Sequence, residues 1–306
     1  MKAVIFEDFG GPEVLHVAEV DPPQPGPKQV RIRVHAAGVN PIDYKIRRGM
    51  MRPSLPPKLP AIPGSEAAGV VEEVGAEVTH VRPGDEVFGW TRGGGYCEQA
   101  NLTTCALKPA EVSFVDAVAL PVAGETASRV LGLLDVKAGE TLLVHGAAGA
   151  VGTMAVQLGV ARGARVIGTA GPSNQEYIAS LGGVPTTYGD GLVERVRALA
   201  PDGVDAVFDV AGRGALEDSV ELRGGTTDRI ITIADYAGSE KLGIKFTGGG
   251  SESVASAGLL EDLVARVARG ELKTSINATF PLAEAAEAQR QSEAGHGRGK
   301  IVLTVG

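Results

Sequence analysis

Residues 142–159 read LLVHGAAGAVGTMAVQLG. Apolar residues of strand character run from Leu142 to His145, a turn of glycine and alanine follows, and a helical pattern opens near Gly149. A buried strand feeding a small-residue turn and a helix is a ready anion site. The first amides of the helix have no intrahelical acceptor, and its dipole is positive at that end. Gly149 lets backbone amides approach a phosphate, while Gly152 lets the helix lie close on the strand. Ala148, Gly149, Ala150, Val151 and Gly152 are therefore the candidate pyrophosphate contacts. A lone GxGxxG is weak evidence, and here Ala147 takes the place of its first glycine. What strengthens it is context: ARVIGTA, residues 164–170, follows one helix later, as a βαβ unit requires. The competing reading is a glycine-rich turn in an unrelated α/β domain.

Downstream, short apolar runs keep alternating with helical stretches. SNQEYIASLGG (173–183) and LVERVRALA (192–200) read as helices, VDAVFDVAG (204–212) as a strand, GALEDSVELRGG (214–225) as a helix, and DRIITIA (228–234) as a strand. That alternation predicts a doubly wound parallel sheet with helices on both faces and right-handed connections. Upstream of about residue 123 the rhythm is different. KQVRIRVHAAG (28–38) alternates strictly, with Val30, Ile32, Val34 and Ala36 on one face. Short apolar runs broken by glycine and proline follow, the pattern of a small β-barrel or sandwich. VASAGLLEDLVARVARGELK (254–273) is an amphipathic helix, and the tail from Ile276 reads strand, helix, strand, which suggests a return to the first domain.

Composition bounds the function. The 306 residues are 43% hydrophobic and 22% charged, the balance of a soluble globular enzyme, and the length favours two domains. A net charge of −8 and a pI near 5.3 argue against nucleic acid and against an anionic membrane surface. No apolar run approaches the ~20 residues that span a bilayer, and MKAVIFEDFG reads as a strand rather than a signal peptide, so a cytoplasmic protein is expected. Cys97 and Cys105 make neither a disulfide framework nor the paired spacing of a zinc site, and read as reduced thiols.

Dinucleotide sites that prefer NAD carry an acid at the end of the second strand, where it binds the ribose 2′-hydroxyl. Here the strand ends at Thr169 and Ala170, followed by GPSN (171–174). With no carboxylate to repel a 2′-phosphate, NADPH is the expected cofactor, with Ser173, Asn174 and Tyr188 as hydrogen-bond donors. The usual cation is missing from this loop.

AGVNPIDYKIRRG (37–49), PGSEAAGVVEEVG (63–75), VRPGDEVFG (81–89), HGAAGAVGTMAVQLGVARGARVIGTA (145–170) and FPLAEAAEAQ…RGKIVL (280–303) together resemble the zinc-independent quinone oxidoreductases. These are the zeta-crystallin branch of the medium-chain dehydrogenase/reductase superfamily. The resemblance implies a GroES-like domain from residues 1–122 and 271–306, a Rossmann NADP-binding domain over 123–270, and a homodimer. It implies no catalytic metal, because Asn40 and Ser65 stand where zinc-dependent relatives place Cys and His. Asn40 would line the nicotinamide end. Tyr44 and Lys45 become the candidates for stabilising charge on the acceptor oxygen, although Lys45 reads equally well as a surface lysine. Thr126 would touch the nicotinamide ribose, with Glu125 beside it where relatives carry an apolar residue. Thr232, Ile233 and Ala234 would meet the carboxamide. His145 is expected to be a strand-end histidine satisfied by backbone. The implied activity is hydride transfer from NADPH to a small hydrophobic acceptor, a quinone or an α,β-unsaturated carbonyl, with GMMRPSLPPKLPAIPG (49–64) as an apolar cleft wall. An NADPH-binding crystallin-like protein with little turnover, or a zinc-free alcohol dehydrogenase-like enzyme, are the alternatives. GGGSES (248–253) reads as a loop.

Overall fold

In the computed structural model, residues 1–51, 56–248, 253, 255–295 and 297–306 are described. The chain divides into two compact units, Met1–Val122 with Ala255–Gly306, and Ala123–Val254.

In the second unit six parallel strands lie in the order Lys245–Phe246, Ile230–Thr232, Ala206–Asp209, Thr141–His145, Arg165–Thr169, Val184–Thr186. The strand that opens the unit sits in the middle, and the order reverses there. The chain winds outward to one side, then returns and winds outward to the other. In such a sheet the crevice for a ligand opens at the carboxyl ends of the strands, at the reversal. The glycine turn leaves from that point. Buried Leu143, Ile167, Val196, Val207, Leu216 and Ile230 tie sheet and helices into one core. The edge strand Lys245–Phe246 escapes a sequence reading: two residues are too few to show a period.

The first unit is a barrel. Strand Val30–Val39 pairs antiparallel with Glu66–Val74 and with Gln99–Leu107, and Glu86–Arg92 bridges those two, which closes the ring. Val30, Ile32, Val34 and Ala36 are all buried, as their alternation requires. The tail does return: Lys300–Thr304 pairs with Val30–Val39, and Ile276–Pro281 extends the sheet beyond it. The second boundary, however, falls at 254/255 rather than 270/271. Helix Ala257–Ala268 packs on strand Gln99–Leu107 of the barrel unit, burying Leu260, Leu263 and Val264. An apolar stripe shows that a helix needs a sheet to cover; it does not say which one. Residues 52–55 of the expected cleft wall and most of GGGSES lie outside the described residues.

Candidate functional site

Helix Ala150–Ala161 begins directly after Gly149, and its first backbone bond runs from Thr153 N–H to the Gly149 carbonyl, 2.8 Å. The amides of Ala150, Val151 and Gly152 precede that bond and so have no acceptor within the helix. A side chain built at Gly152 would sit 2.2 Å from the Gly146 carbonyl oxygen and 2.7 Å from Ala147 Cα. At Gly149 the nearest atom would be 3.5 Å away. The two glycines therefore do different work: Gly152 admits protein, and Gly149 leaves a space beside free amides that none of the described residues fills. A pyrophosphate fits that cradle.

At the end of the second strand, buried Ala170 contributes no charge, and its amide bonds the Thr186 carbonyl at 3.0 Å. Ser173 and Tyr188 are exposed, Asn174 is half-buried, and a Cβ on Gly171 would lie 3.6 Å from the Tyr188 hydroxyl. The four residues thus share one loop cluster. Sequence reading finds no cation here. The fold supplies one from helix Leu192–Leu199, where Arg195 donates to the carbonyls of Thr187 (3.0 Å), Gly189 (3.2 Å) and Asp190 (2.6 Å). Its charge braces the segment that carries Tyr188.

Thr232 is fully buried and donates to Asp209 Oδ2 at 2.7 Å, while its own oxygen accepts from the Ala234 and Asp235 amides. Asp209 Oδ1 accepts from Ala211 and Gly212. Thr232 therefore shapes the strand end, where Ile233 and Ala234 are half-buried. Asp209 was not anticipated, although an acid closing the apolar run VDAVF must find buried partners. Thr126 is half-buried on helix Pro121–Leu133. Its neighbour Glu125 is buried and accepts from Arg129 Nε at 2.9 Å, so the departure from an apolar residue is compensated within the helix. His145 differs from expectation. Its Nε2 lies 3.0 Å from Ser219 Oγ and its Nδ1 3.4 Å from Thr169 Oγ1, side chains rather than backbone. Ser219 already donates to the Ala215 carbonyl, so Nε2 carries the proton. Burial lowers the imidazole pKa and keeps the ring neutral.

In the barrel unit, Asn40 precedes helix Pro41–Arg47 and is buried. Its amide N–H donates to Asp43 Oδ2 at 2.8 Å, its Nδ2 to Glu66 Oε1 at 2.7 Å, and its Oδ1 accepts from Lys300 Nζ at 2.5 Å. Tyr96 donates to Asp43 at 2.9 Å, and Ser65 lies 3.5 Å from the same carboxylate. Tyr44 and Lys45 on the helix are half-buried, and burial lowers the Lys45 pKa, which is unlike a freely solvated lysine. Cys97 and Cys105 are buried and free, with thiols pushed up to about 12 by burial. Among the described residues no group of three or more His, Cys, Asp or Glu side chains could hold a metal.

Burial pushes Asp43 up to about 6, outweighing the hydrogen bonds from Asn40 and Tyr96. Its folded pKa lies above the unfolded value, so the folded chain holds a proton that the unfolded chain has released. Stability is then greatest below the unfolded pKa and falls as pH rises from about 4 to 6. Between pH 4.5 and 7 this one group should cost about 2 kcal/mol. Asp43→Asn is expected to lose that slope in denaturant titrations at the two pH values. Equal slopes in variant and wild type would show that Asp43 titrates normally.

Two family descriptions match the chain: "Alcohol dehydrogenase GroES-like domain" over residues 26–202 and "Zinc-binding dehydrogenase" over 184–303. It is 33% identical to the quinone oxidoreductase of Rattus norvegicus, over 99% of this chain and 97% of that one. The quinone oxidoreductase of Escherichia coli, solved in complex with NADPH, has a TM-score of 0.85 at 28% identity, covering 99% and 100% of the two chains. A structure described as an NAD-dependent alcohol dehydrogenase gives 0.87 at 32% identity over both full lengths. The chain is a quinone oxidoreductase-type member of the medium-chain dehydrogenase/reductase superfamily.

Within that family the GroES-like barrel and the Rossmann sheet expected from sequence are both present. The glycine loop, Thr169, Ala170, Ser173, Asn174, Tyr188, Thr232, Ile233 and Ala234 all fall at the carboxyl ends of the strands of one sheet. Asn40 precedes one barrel helix, Pro41–Arg47, and Tyr44 and Lys45 lie within it. Lys300, Glu66, Asp209 and Arg195 were missed: Lys300 and Glu66 act through partners far away in sequence, while Asp209 and Arg195 act through loop backbone whose path a periodicity does not show.

Proposed function

We propose that this chain is an NADPH-dependent reductase that transfers hydride to a quinone or an α,β-unsaturated carbonyl, without zinc. The observation that carries the reading is the sheet's reversal point. There, free helix amides face an unfilled space at Gly149, and the neighbouring strand ends in Ala170 instead of an acid. The names of the relatives, and the NADPH held by the Escherichia coli enzyme, support the same reading. In it, Ala148 to Gly152 hold the pyrophosphate, Ser173, Asn174 and Tyr188 the 2′-phosphate, Thr126 the ribose, and Ile233 and Ala234 the carboxamide. Bound NADPH supplies the hydride. Lys45, with its lowered pKa, and the Tyr44 hydroxyl donate to the acceptor oxygen as charge develops on it. For a quinone, solvent completes the protonation. The homodimer is part of the proposal, supported by exposed Tyr236 and Phe246 packed edge to face beside an edge strand. So is the cytoplasm, since no described helix is long and apolar enough to cross a membrane.

The test is NADPH oxidation with a panel of quinones and enones, before and after chelation. NADPH should bind roughly ten- to a hundredfold more tightly than NADH, about 1.4–2.8 kcal/mol, because Arg195 is engaged by backbone carbonyls and neutral donors are left for the 2′-phosphate. Chelators should leave turnover intact. Tighter NADH binding, or activity lost to chelation and restored by zinc, overturns the reading. Tight NADPH binding with no acceptor reduced makes the chain a binding protein.

A further inference from the structure

Lys300 is a lysine with 2% of its surface exposed, at the start of strand Lys300–Thr304. Its ammonium donates to Glu66 Oε1 and to Asn40 Oδ1. The three residues come from neighbouring strands: Glu66 opens Glu66–Val74, Asn40 follows Val30–Val39, and Lys300 opens the strand on its other side. Glu66 is fully buried as well, and its second oxygen accepts from the Val122 amide at 2.8 Å. Room for its carboxylate exists because residue 38 is glycine; a Cβ there would lie 2.3 Å from Glu66 Oε1. A desolvated ammonium and carboxylate are retained only where geometry and extra hydrogen bonds are good, and hydrophobic replacements often serve stability as well. A buried pair is therefore weak evidence for a stabilising role and directs attention to what it fixes.

What it fixes is Asn40. Lys300 holds one end of the Asn40 amide and Glu66 the other, while the backbone N–H goes to Asp43. Asn40 is the residue immediately before helix Pro41–Arg47, so its orientation sets where that seven-residue helix starts and how Tyr44 and Lys45 project. A side chain engaged at both ends is better suited to holding the helix than to touching a ligand. We propose that Lys300, acting through Glu66 and Asn40, is a positioning residue that sets Tyr44 and Lys45 for reduction of the acceptor. The proposal rests on the roles given to those two residues above.

The decisive variant is Lys300→Met with Glu66→Gln, which removes the charge pair without leaving a buried unpaired ion. It should melt close to wild type and bind NADPH within twofold. Its kcat with a quinone should fall at least tenfold, with a smaller change in KM. Amide hydrogen exchange over residues 41–47 should speed up at least tenfold. If the double variant does not fold, Asn40→Ala, which leaves the ion pair in place, is read in the same two ways. Unchanged exchange, or faster exchange with kcat retained within twofold, overturns the proposal. A wild type that reduces none of the acceptors sinks the functional reading instead, and the exchange arm alone then decides whether Lys300 holds the helix.

Discussion

Gly152→Val should yield a chain whose dinucleotide unit is destabilised by about 3 kcal/mol or more, a drop in Tm of roughly 6–12 °C. Helix propensity argues the other way, since replacing a mid-helix glycine by alanine usually gains up to ~1 kcal/mol. Packing decides the sign. The first atom of any side chain at residue 152 would meet the Gly146 carbonyl oxygen at 2.2 Å and Ala147 Cα at 2.7 Å, both backbone and unable to rotate away. Helix Ala150–Ala161 would have to lift from strand Thr141–His145, exposing Met154, Ala155, Val156 and Leu158 from a helix buried along nearly its whole length. Gly152→Ala should show a smaller version of the same loss. Calorimetric melting checks it, and a variant as stable as wild type would mean that the helix can shift without cost.

The close approach at Gly152 was legible because a fixed spacing encodes it: a strand, a small-residue turn and a helix, all local in sequence. The parallel sheet was legible for the same reason. The sequence signal slipped by one residue at the turn itself. The motif's first glycine position holds Ala147, yet the positive φ of +77° that needs glycine falls at Gly146. Other features were hidden because they depend on where the folded chain brings residues together rather than on spacing. Lys300 reads as the polar start of a strand until the barrel places it against Asn40, 260 residues earlier. Arg195 looks like one of several charges on LVERVRALA, and only the turn back from Tyr188 gives it four carbonyls to hold. Asn40 was read as a ligand contact by family position, and its hydrogen bonds to Asp43, Glu66 and Lys300 could not be read from that position. Helix Ala257–Ala268 shows the same limit for domains, since its apolar stripe suits either sheet.

Gly149→Asp should separate binding from folding in the opposite sense to residue 152. Gly149 has φ −71° and ψ 174°, extended backbone that any residue adopts. A side chain there would meet only the Gly146 oxygen at 3.5 Å, an ordinary contact. Aspartate is moreover a favoured residue at a helix N-cap, where its carboxylate accepts from amides of the first turn. The fold should therefore keep its Tm, or gain a few tenths of a kcal/mol. The same carboxylate would occupy the space beside the Ala150–Gly152 amides, compete for them, and repel a pyrophosphate. NADPH affinity should fall at least 100-fold, about 2.7 kcal/mol. Gly149→Ala, which adds bulk without charge, should lose less and so divides the effect between shape and electrostatics. Titration calorimetry beside thermal melting measures both. If Gly149→Asp melts normally and binds NADPH within threefold of wild type, under about 0.7 kcal/mol, the loop is not the pyrophosphate site. The space at Gly149 would then be a gap in packing, and the cofactor would have to be sought elsewhere on the sheet.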